Sequence, residues 1–265
     1  MVPTYLNILR VYLTMKHNFK KIIKLRHLNK IFFNKINLEV YSFEESTNLL
    51  GFLRKLQRKG ITIQTVYDIG AHKGLWTKNA SKILTKSKFY LFEPNEIHNK
   101  ELDAIGYSYF NCLLGDIPGR KVNFYAAGQT GDSYFKEKNP IYDDSTKKQM
   151  VLNTLDYFQE TEGIPKPNLI KIDTQGSELL ILKGALNLLK EVSIIIIELA
   201  VTNMNIGAPN FSDVVKFLED HDFVPVQLVE VHKVINILVQ IDIAFMNRKL
   251  FIEIFGHDDI YHRSH

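Results

Sequence analysis

The stretch Val66-Tyr67-Asp68-Ile69-Gly70-Ala71-His72-Lys73-Gly74 decides the fold of this chain. It predicts a buried β-strand that turns abruptly into an α-helix. Gly70 and Gly74 let the backbone turn tightly and approach a bound molecule, because glycine tolerates positive φ angles and has no side chain. The first turn of the helix leaves backbone N–H groups that can donate to a ligand. The stretch therefore predicts a ligand site at the end of the strand.

An acidic residue, Asp68, stands before the first glycine of this loop. A dinucleotide-binding loop would read Gly-x-Gly-x-x-Gly, whereas in this chain three residues separate the two glycines. Asp68 would repel a pyrophosphate, but it suits a ligand that carries an amino group and ribose hydroxyls. The alternative interpretation is an ordinary strand-to-helix turn without a ligand.

A second acidic residue, Glu93, ends the next predicted strand, at residues 88–93. A strand, a helix and a strand within about 30 residues are typical of a right-handed parallel unit. Glu93 therefore lies at the same edge of the sheet as Asp68, where a carboxylate can accept both hydroxyls of a ribose. Pro94 and Asn95 break the strand after it.

Strands and helices continue to alternate along the chain and predict an α/β fold with a doubly wound, mostly parallel sheet. The strand at 193–200 contains four consecutive isoleucines, which is typical of a strand buried on both faces. No long helix separates strands 224–231 and 237–247, so we expect an antiparallel pair at one edge. A polar segment at 128–144 predicts a loop over the site.

The other predicted elements are helices at 46–58, 75–84, 96–105, 177–190 and 211–220, strands at 107–114, 121–126 and 169–173, and a short strand and helix within 149–158. The helix at 177–190 is expected to bury Leu182, Ala185, Leu186 and Leu189.

The composition is that of an ordinary soluble protein, with 45% hydrophobic and 23% charged residues. The single cysteine, Cys112, excludes an intramolecular disulfide and a cysteine-based zinc cluster, which favours a reducing compartment. No stretch approaches the roughly 20 apolar residues of a membrane-spanning helix, and the first residues lack the pattern of a signal peptide. We therefore expect a cytoplasmic protein.

The basic charge is concentrated at the N-terminus, and we predict a basic helical extension at 1–60, a main domain at 61–250 and a polar tail at 251–265. Residues 1–38 hold eight Lys or Arg and no Asp or Glu, so the remaining 25 basic and 29 acidic residues give the rest of the chain a charge of −4. Two roles fit this extension. It packs on the main domain or on a second subunit, or it binds anionic lipid at the inner face of the membrane.

Several segments, in order, resemble the FkbM-type methyltransferases: residues 66–74, Leu91-Phe92-Glu93-Pro94-Asn95, residues 111–125, residues 169–185, residues 194–199 and, more weakly, residues 238–248. The most specific is Ile172-Asp173-Thr174-Gln175-Gly176-Ser177-Glu178, followed by Leu182-Lys183-Gly184-Ala185. The resemblance implies a Rossmann-like domain that binds S-adenosyl-L-methionine and methylates a hydroxyl, often of a sugar or a polyketide. The chain departs from the family at His72, where asparagine is frequent, and residues 1–60 match no known pattern.

The resemblance also implies site residues. Those expected at the cofactor are Asp68, Gly70, Ala71, His72, Gly74, Glu93, Pro94, Asn95, Leu114, Gly115, Asp116 and Asp173. Gly115 and Asp116 are expected near the adenine. Asp173 faces the transfer site, where it either assists the substrate hydroxyl or holds the amino group of the cofactor. Glu198 and His72 are further catalytic candidates, although His72 could simply close the loop.

Other functions remain as alternatives. Methylation of RNA, of nitrogen or of a polyketide is one, and a cofactor-binding scaffold without activity is another. A carbohydrate or glycolipid-like hydroxyl is the expected acceptor, because a nucleic-acid enzyme should interleave basic and aromatic residues near the site. The chain has no P-loop and no Gly-x-Ser-x-Gly motif. No metal site is expected, since Asp143-Asp144 and His257-Asp258-Asp259 lack the spacing of ligands.

Overall fold

The computed structural model describes residues 48–126, 131–138, 146–202 and 204–256. Most of the predicted basic extension (residues 1–47), part of the predicted loop at 128–144 with Asp143 and Asp144, and the tail at 257–265 lie outside the described residues. The roles predicted for those segments stay predictions. Within the described ranges, no helix has the length and apolar character needed to cross a membrane.

The described residues form ten strands, which in chain order are β1 (Thr65–Ile69), β2 (Lys88–Phe92), β3 (Ser108–Phe110), β4 (Leu113–Leu114), β5 (Lys121–Ala126), β6 (Thr146–Asn153), β7 (Leu169–Ile172), β8 (Ile194–Ala200), β9 (Phe223–Val234) and β10 (Ile237–Asn247). Seven of them form the central sheet in the order β3-β2-β1-β7-β8-β10-β9. The pairs from β3 to β8 are parallel, and β10 is antiparallel to both β8 and β9. The mostly parallel sheet with an antiparallel edge pair confirms the predicted fold class.

The described α-helices are α1 (Leu49–Arg58), α2 (Leu75–Ala80), α3 (Asn99–Ile105), α4 (Leu155–Glu162), α5 (Glu178–Lys183), α6 (Phe211–Asp220) and α7 (Arg248–Phe255). They cover both faces of the sheet. On one face, Leu182 of α5 and Leu218 of α6 pack in the same apolar cluster as Ile170 of β7. On the other face, Leu53 of α1 and Phe251 of α7 pack in a second cluster. The sheet is therefore doubly wound, as the sequence predicts.

The predicted boundaries at residues 60 and 250 fall inside this packed unit. Helix α1 buries Phe52, Leu53 and Leu56 against the sheet, and α7 buries Phe251. Both helices carry apolar residues at helical spacing, so each places an apolar face on the core. The described domain therefore begins before residue 60 and extends past residue 250.

The predicted strand at 107–114 is divided between two sheets. Its first part, β3, continues the central sheet, whereas β4 pairs with β6 in a second sheet of order β4-β6-β5. The side chain of Asn111 turns back and donates to the backbone oxygen of Glu93 at 2.9 Å, which ends the pairing with β2. Strand β5 pairs antiparallel with β6, which lies between β4 and β5 in this second sheet.

The predicted helix at 177–190 is also interrupted. Helix α5 ends at Lys183, and a 3₁₀ turn follows at Leu188–Lys190. The carboxylate of Asp156 accepts the backbone N–H groups of Asn187 and Leu188 at 2.8 and 2.9 Å, and these bonds begin a separate turn. The prediction that Leu186 is buried was wrong, since it is 44% exposed.

Candidate active site

A cavity of about 430 Å³ lies at the C-terminal ends of the parallel strands. Its wall includes Gly70 after β1, Glu93 after β2 and Asp173 after β7, and it continues to His232 and Gln240 on the antiparallel strands. Ligands of open α/β sheets bind outside this edge of the sheet, and the volume is that of a small-molecule site. The cavity is therefore the candidate active site.

Gly70 allows β1 and β7 to approach each other at the floor of the cavity. Its φ angle is +75°, and a Cβ atom at this position would lie 1.8 Å from the backbone oxygen of Asp173. The backbone N–H of Asp173 donates to the oxygen of Ile69 at 3.0 Å, directly beside this contact. A side chain at position 70 would push Asp173 away, so glycine is required at this position.

The carboxylate of Glu93 organises the loop after β1. Its Oε2 accepts the backbone N–H of His72 at 2.7 Å, and its Oε1 accepts that of Asn95 at 2.8 Å. Burial raises the pKa of Glu93 to about 7, although the two backbone N–H groups oppose this shift. An ionised carboxylate has about four acceptor positions, so both oxygens can accept a further hydrogen bond from a molecule in the cavity.

His72 lies at the wall of the cavity in a strained backbone conformation, with a φ angle of +50°. Its ring packs edge-on against His98, with 4.1 Å between the centroids. Burial, and then the neighbouring His98 and Lys73, lower the pKa of His72, so the imidazole is neutral near pH 7. A residue held at positive φ beside a cavity is typical of a functional loop.

A buried lysine, Lys171, connects two of the predicted acidic residues. Its Nζ is 2.7 Å from Oδ2 of Asp173 and 4.0 Å from Oδ1 of Asp68. Burial by itself would raise the pKa of Asp173, but the charge and the hydrogen bond of Lys171 outweigh it and lower the pKa. Asp173 is therefore ionised, and it is a weak base.

Glu198 on β8 belongs to a polar cluster beside Asp173. Gln175 Nε2 donates to Oε2 of Glu198 and lies 3.2 Å from Oδ1 of Asp173, while Gln240 Nε2 donates to the same Glu198 oxygen at 2.9 Å. Burial, followed by the charge of Asp173, raises the pKa of Glu198 to about 10. Near pH 7 this side chain is thus protonated and can donate a hydrogen bond, so it is not a base in this state.

The far wall is formed by the antiparallel strands. His232 on β9 lines the cavity, and its Nε2 is 3.4 Å from Oδ1 of Asp242 and 3.8 Å from Oε1 of Glu198. Asp242 pairs with Glu198 across β10 and β8. Burial, and then the charge of Asp173, raise the pKa of Asp242 to about 6.

The structure brings most of the predicted site residues to one cavity. Those that line it are Gly70, Ala71, His72, Glu93, Pro94, Leu114, Asp173 and Glu198. The other five predicted residues, Asp68, Gly74, Asn95, Gly115 and Asp116, lie outside this lining and have contacts within the protein. Cys112 also lines the cavity, and burial raises the pKa of its thiol to about 12.

Four of those five have a clear supporting contact. Asp68 is fully buried and accepts a hydrogen bond from Thr77 Oγ1 of α2 at 2.6 Å. Gly74 precedes α2 with a φ angle of +67°. Asn95 is 8% exposed and accepts the backbone N–H of Ile97 at 3.3 Å. Asp116 pairs with Arg120 at 2.9 Å.

The fifth, Gly115, packs tightly on β6. A Cβ atom at this position would lie 2.8 Å from Leu152 Cδ1, and the backbone N–H donates to the oxygen of Asn153 at 2.8 Å. Gly115 therefore holds β4 close to the second sheet.

Sequence reasoning did not single out several polar residues at the cavity. Among them are Lys171, Gln175, His232 and Gln240, which line it, and Asp242, which lies beside His232. Lys171 had a detectable signal, since it is the charged residue in the buried run of β7. His232 and Asp242 had none, because only the register of β9, β10 and β8 brings them to Glu198.

A doubly wound sheet with acidic residues and a glycine turn at its C-terminal edge is typical of Rossmann-like α/β domains that bind a nucleotide-containing cofactor. Residues 68–225, more than half of the chain, match the family model described as the methyltransferase FkbM domain. The chain therefore belongs to the FkbM methyltransferase family.

One curated relative is the hexuronic acid methyltransferase AglP of Haloferax volcanii, which is 27% identical over 200 residues, covering 70% of this chain and 80% of the relative. Similar solved structures include magnesium protoporphyrin IX methyltransferase of Synechocystis, with a TM-score of 0.44 and 10% identity over 74% of this chain and 76% of that one. Another is a SAM-dependent methyltransferase of Aquifex aeolicus, with a TM-score of 0.39 and 16% identity over 80% and 95%. These two likenesses say nothing about the substrate.

Proposed function

We propose that this enzyme transfers the methyl group of S-adenosylmethionine to a hydroxyl of a sugar or glycan. The observation that carries this proposal is that the loop after β1 shares one cavity with polar side chains suited to hydroxyl groups: Asp173, Gln175, Glu198, His232 and Gln240. The name of the relative AglP states a sugar acid as the molecule that it methylates, which supports a sugar acceptor for this chain.

The residues at the ends of β1 and β2 fit the cofactor. Gly70 keeps the loop after β1 against Asp173 at the floor of the cavity, because a Cβ atom would lie 1.8 Å from the backbone oxygen of Asp173. We assign Gly70, Ala71 and His72 to the amino-acid end of the cofactor. Glu93 has acceptor positions left for the ribose hydroxyls, and Pro94 and Leu114 line the side expected for the adenine. Bound S-adenosylmethionine supplies a methyl group activated by a sulfonium. We assign Asp68, which is buried against Thr77, to support of the loop.

On the acceptor side, Asp173 is the group placed to accept a hydrogen bond from the reacting hydroxyl. The hydroxyl loses a proton when it takes the methyl group, and an ionised carboxylate stabilises the positive charge that develops on the oxygen. Its lowered pKa makes Asp173 a weak base, so we expect it to contribute mainly orientation and electrostatic stabilisation. Glu198 lines the same wall and would form a hydrogen bond with another oxygen of the sugar.

A transfer assay with an isotopically labelled methyl group tests the proposal. The full-length protein is incubated with labelled S-adenosylmethionine and, separately, with neutral hexosides, hexuronosides, a short RNA and a polyhydroxylated polyketide. Mass spectrometry locates the label, and mild alkali distinguishes a stable methyl ether from a labile methyl ester. We expect an alkali-stable label on a sugar.

If only the RNA or only the polyketide were labelled, the proposed sugar acceptor would be wrong. An alkali-labile product would move the reaction from a hydroxyl to a carboxylate. Cofactor binding without transfer to any acceptor would contradict the proposal and favour a cofactor-binding scaffold.

Asp173→Asn tests the role of Asp173, with the exposed Asp220→Asn as the matched control. We expect kcat to fall by about 10²-fold, because the amide keeps the shape of the side chain but loses its charge. The KM for S-adenosylmethionine should change little. Should kcat persist while cofactor binding weakens, Asp173 is a cofactor ligand.

A further inference from the structure

Three carboxylate oxygens surround one imidazole nitrogen at the acceptor end of the cavity. From His232 Nε2, the distances are 3.4 Å to Asp242 Oδ1, 3.8 Å to Glu198 Oε1 and 3.9 Å to Glu230 Oε1. Hydrogen bonds between nitrogen and oxygen measure about 2.7–3.2 Å. At these distances His232 Nε2 makes no hydrogen bond of ordinary length to any of the three oxygens.

The strand register places three acidic side chains opposite each other at this point. Asp242 on β10 pairs with Glu198 on β8 and with Glu230 on β9. Directly opposed like charges destabilise a sheet. Asp242 is also buried, being only 8% exposed, and its Oδ1 has no hydrogen-bond partner among the described residues. A buried carboxylate oxygen without a hydrogen bond can accept a further partner.

The nearest buried lysine does not supply that partner. Lys171 Nζ is held by Asp173 at 2.7 Å, at the other side of the polar cluster. The ligand atoms of Glu198, His232 and Asp242 all lie within 4.8 Å of one another. Bonds of about 2.1 Å to a metal ion separate neighbouring ligand atoms by about 3.0 Å in an octahedron and about 3.4 Å in a tetrahedron. Small rotations of the side chains would reach either geometry.

We propose that Glu198, His232 and Asp242 bind a divalent cation at the acceptor end of the cavity. Because a carboxyl group binds a metal ion in its ionised form, binding of the cation would release the proton of Glu198. Carboxylates suit Mg²⁺ and Mn²⁺, whereas an imidazole favours transition metals, so the mixed donor set points to Mn²⁺. This site departs from the absence of a metal site expected from the sequence. Glu230, whose side chain is 58% exposed, is placed to add a weaker fourth ligand.

The role of the ion rests on the proposed function. Since Glu198 and His232 line the cavity, the ion would coordinate the acceptor hydroxyl, which becomes more acidic on a metal ion. The oxygen would form its bond to the methyl carbon, the carbon–sulfur bond would break with its electron pair on sulfur, and the proton of the hydroxyl would pass to solvent.

Binding of Mn²⁺ to the full-length protein, followed by electron paramagnetic resonance, tests the site without an acceptor. We expect one Mn²⁺ per chain in the wild type and in the exposed control Asp220→Asn, with a nitrogen coupling from the imidazole. Asp242→Asn and His232→Gln should each weaken Mn²⁺ at least about tenfold, and His232→Gln should remove the nitrogen coupling. Glu230→Gln should have a smaller effect.

Binding of the demethylated cofactor, measured on each variant, confirms that the variant is folded. Asp242→Asn removes one of the opposed carboxyl groups, so we do not expect this variant to unfold. Loss of Mn²⁺ binding in this variant would therefore report the loss of a ligand. The site is refuted if Mn²⁺ does not bind, if the variants bind it like the wild type, or if the nitrogen coupling is absent. Mn²⁺ binding without sugar methylation would refute the proposed function alone, and sugar methylation without Mn²⁺ binding would refute the metal site alone.

Discussion

Replacing Gly70 with alanine should separate the ends of β1 and β7, and Gly60 offers a matched control. The two glycines have φ angles of +75° and +77°, so an alanine meets the same backbone strain at both positions. A Cβ atom at position 60 has nothing within 4 Å, whereas at position 70 it lies 1.8 Å from Asp173 O. The difference between the two variants therefore measures the steric contact alone.

The magnitude follows from these contacts. The left-handed conformation costs an alanine about 1–2 kcal/mol, partly offset by about 0.4–1 kcal/mol from the stiffer unfolded chain. For Gly70→Ala, overpacking adds about 1–3 kcal/mol, and loss of the bond from Asp173 N to Ile69 O adds about 1 kcal/mol. We expect Gly60→Ala to lose about 1 kcal/mol of unfolding free energy and Gly70→Ala about 3–5 kcal/mol.

Urea unfolding followed by circular dichroism measures both losses, and calorimetry with the demethylated cofactor measures the site. Because Asp173 must move by about 1.2 Å to restore the 3.0 Å that a Cβ atom requires, we expect binding to Gly70→Ala to weaken at least about tenfold. Binding to Gly60→Ala should not change. Equal stability and equal affinity in the two variants would refute the close approach of β1 and β7.

Three other predictions concern the loop and the N-terminus. Thr77→Val should lower the unfolding free energy by about 1–3 kcal/mol, because buried Asp68 loses the hydrogen bond at 2.6 Å. The control Thr161→Val, at an exposed position, should lower it by less than about 0.5 kcal/mol. Equal losses in the two variants would show that Asp68 has no structural role. Since burial raises the pKa of Glu93 to about 7, its contribution to stability is fully present below pH 4.5 and is lost as the pH rises through 7. Hydrogen bonds from ribose hydroxyls favour the ionised form of Glu93, so the affinity for the demethylated cofactor should rise between pH 6 and 8, with release of a proton on binding. Glu93→Gln should abolish this pH dependence. An affinity of the wild type that does not change with pH would show that Glu93 does not bind the ribose. Deletion of residues 1–38 should abolish salt-sensitive co-sedimentation with anionic vesicles if the segment binds lipid, whereas a change of oligomeric state on deletion would assign it to protein packing.

The parts of the fold predicted from sequence are those fixed by local patterns. The helix predicted at 211–220 matches α6, and the second strand agrees with β2, because each has a strong apolar period and clear end signals. The division of the predicted strand at 107–114 was not predictable. It depends on a hydrogen bond from the side chain of Asn111 to the backbone oxygen of Glu93, 18 residues earlier. Leu186 fits the helical period but follows the break at Gly184, so its periodicity was misleading.

The candidate site shows the same limit. The residues at the turns after β1, β2 and β7 are visible in the sequence because glycines and acids mark the strand ends. Asp68 has the pattern of a ligand contact, but the structure buries its carboxylate behind the loop, where it bonds to Thr77. A sequence pattern places a residue at a strand end, and only the packing decides which way its side chain points.

The part of the cavity wall formed by Glu198, His232 and Gln240, here called the acceptor wall, depends instead on the register of the edge hairpin. Side chains two residues apart share a face of a strand, so Gln240 and Asp242 on β10 lie on the same face. Irregularities in the pairing with β9 fall between Leu238 and Gln240 and between Asp242 and Ile243. These two irregularities lie on either side of the short segment that carries Gln240 and Asp242. Bulges beside active sites commonly change the direction in which a side chain points. Because a slip of one residue would turn Asp242 away from Glu198 and into the apolar face, the register of the hairpin determines whether the acceptor wall exists at all. Changes in this hairpin should therefore alter acceptor and metal binding while leaving the cofactor loop intact.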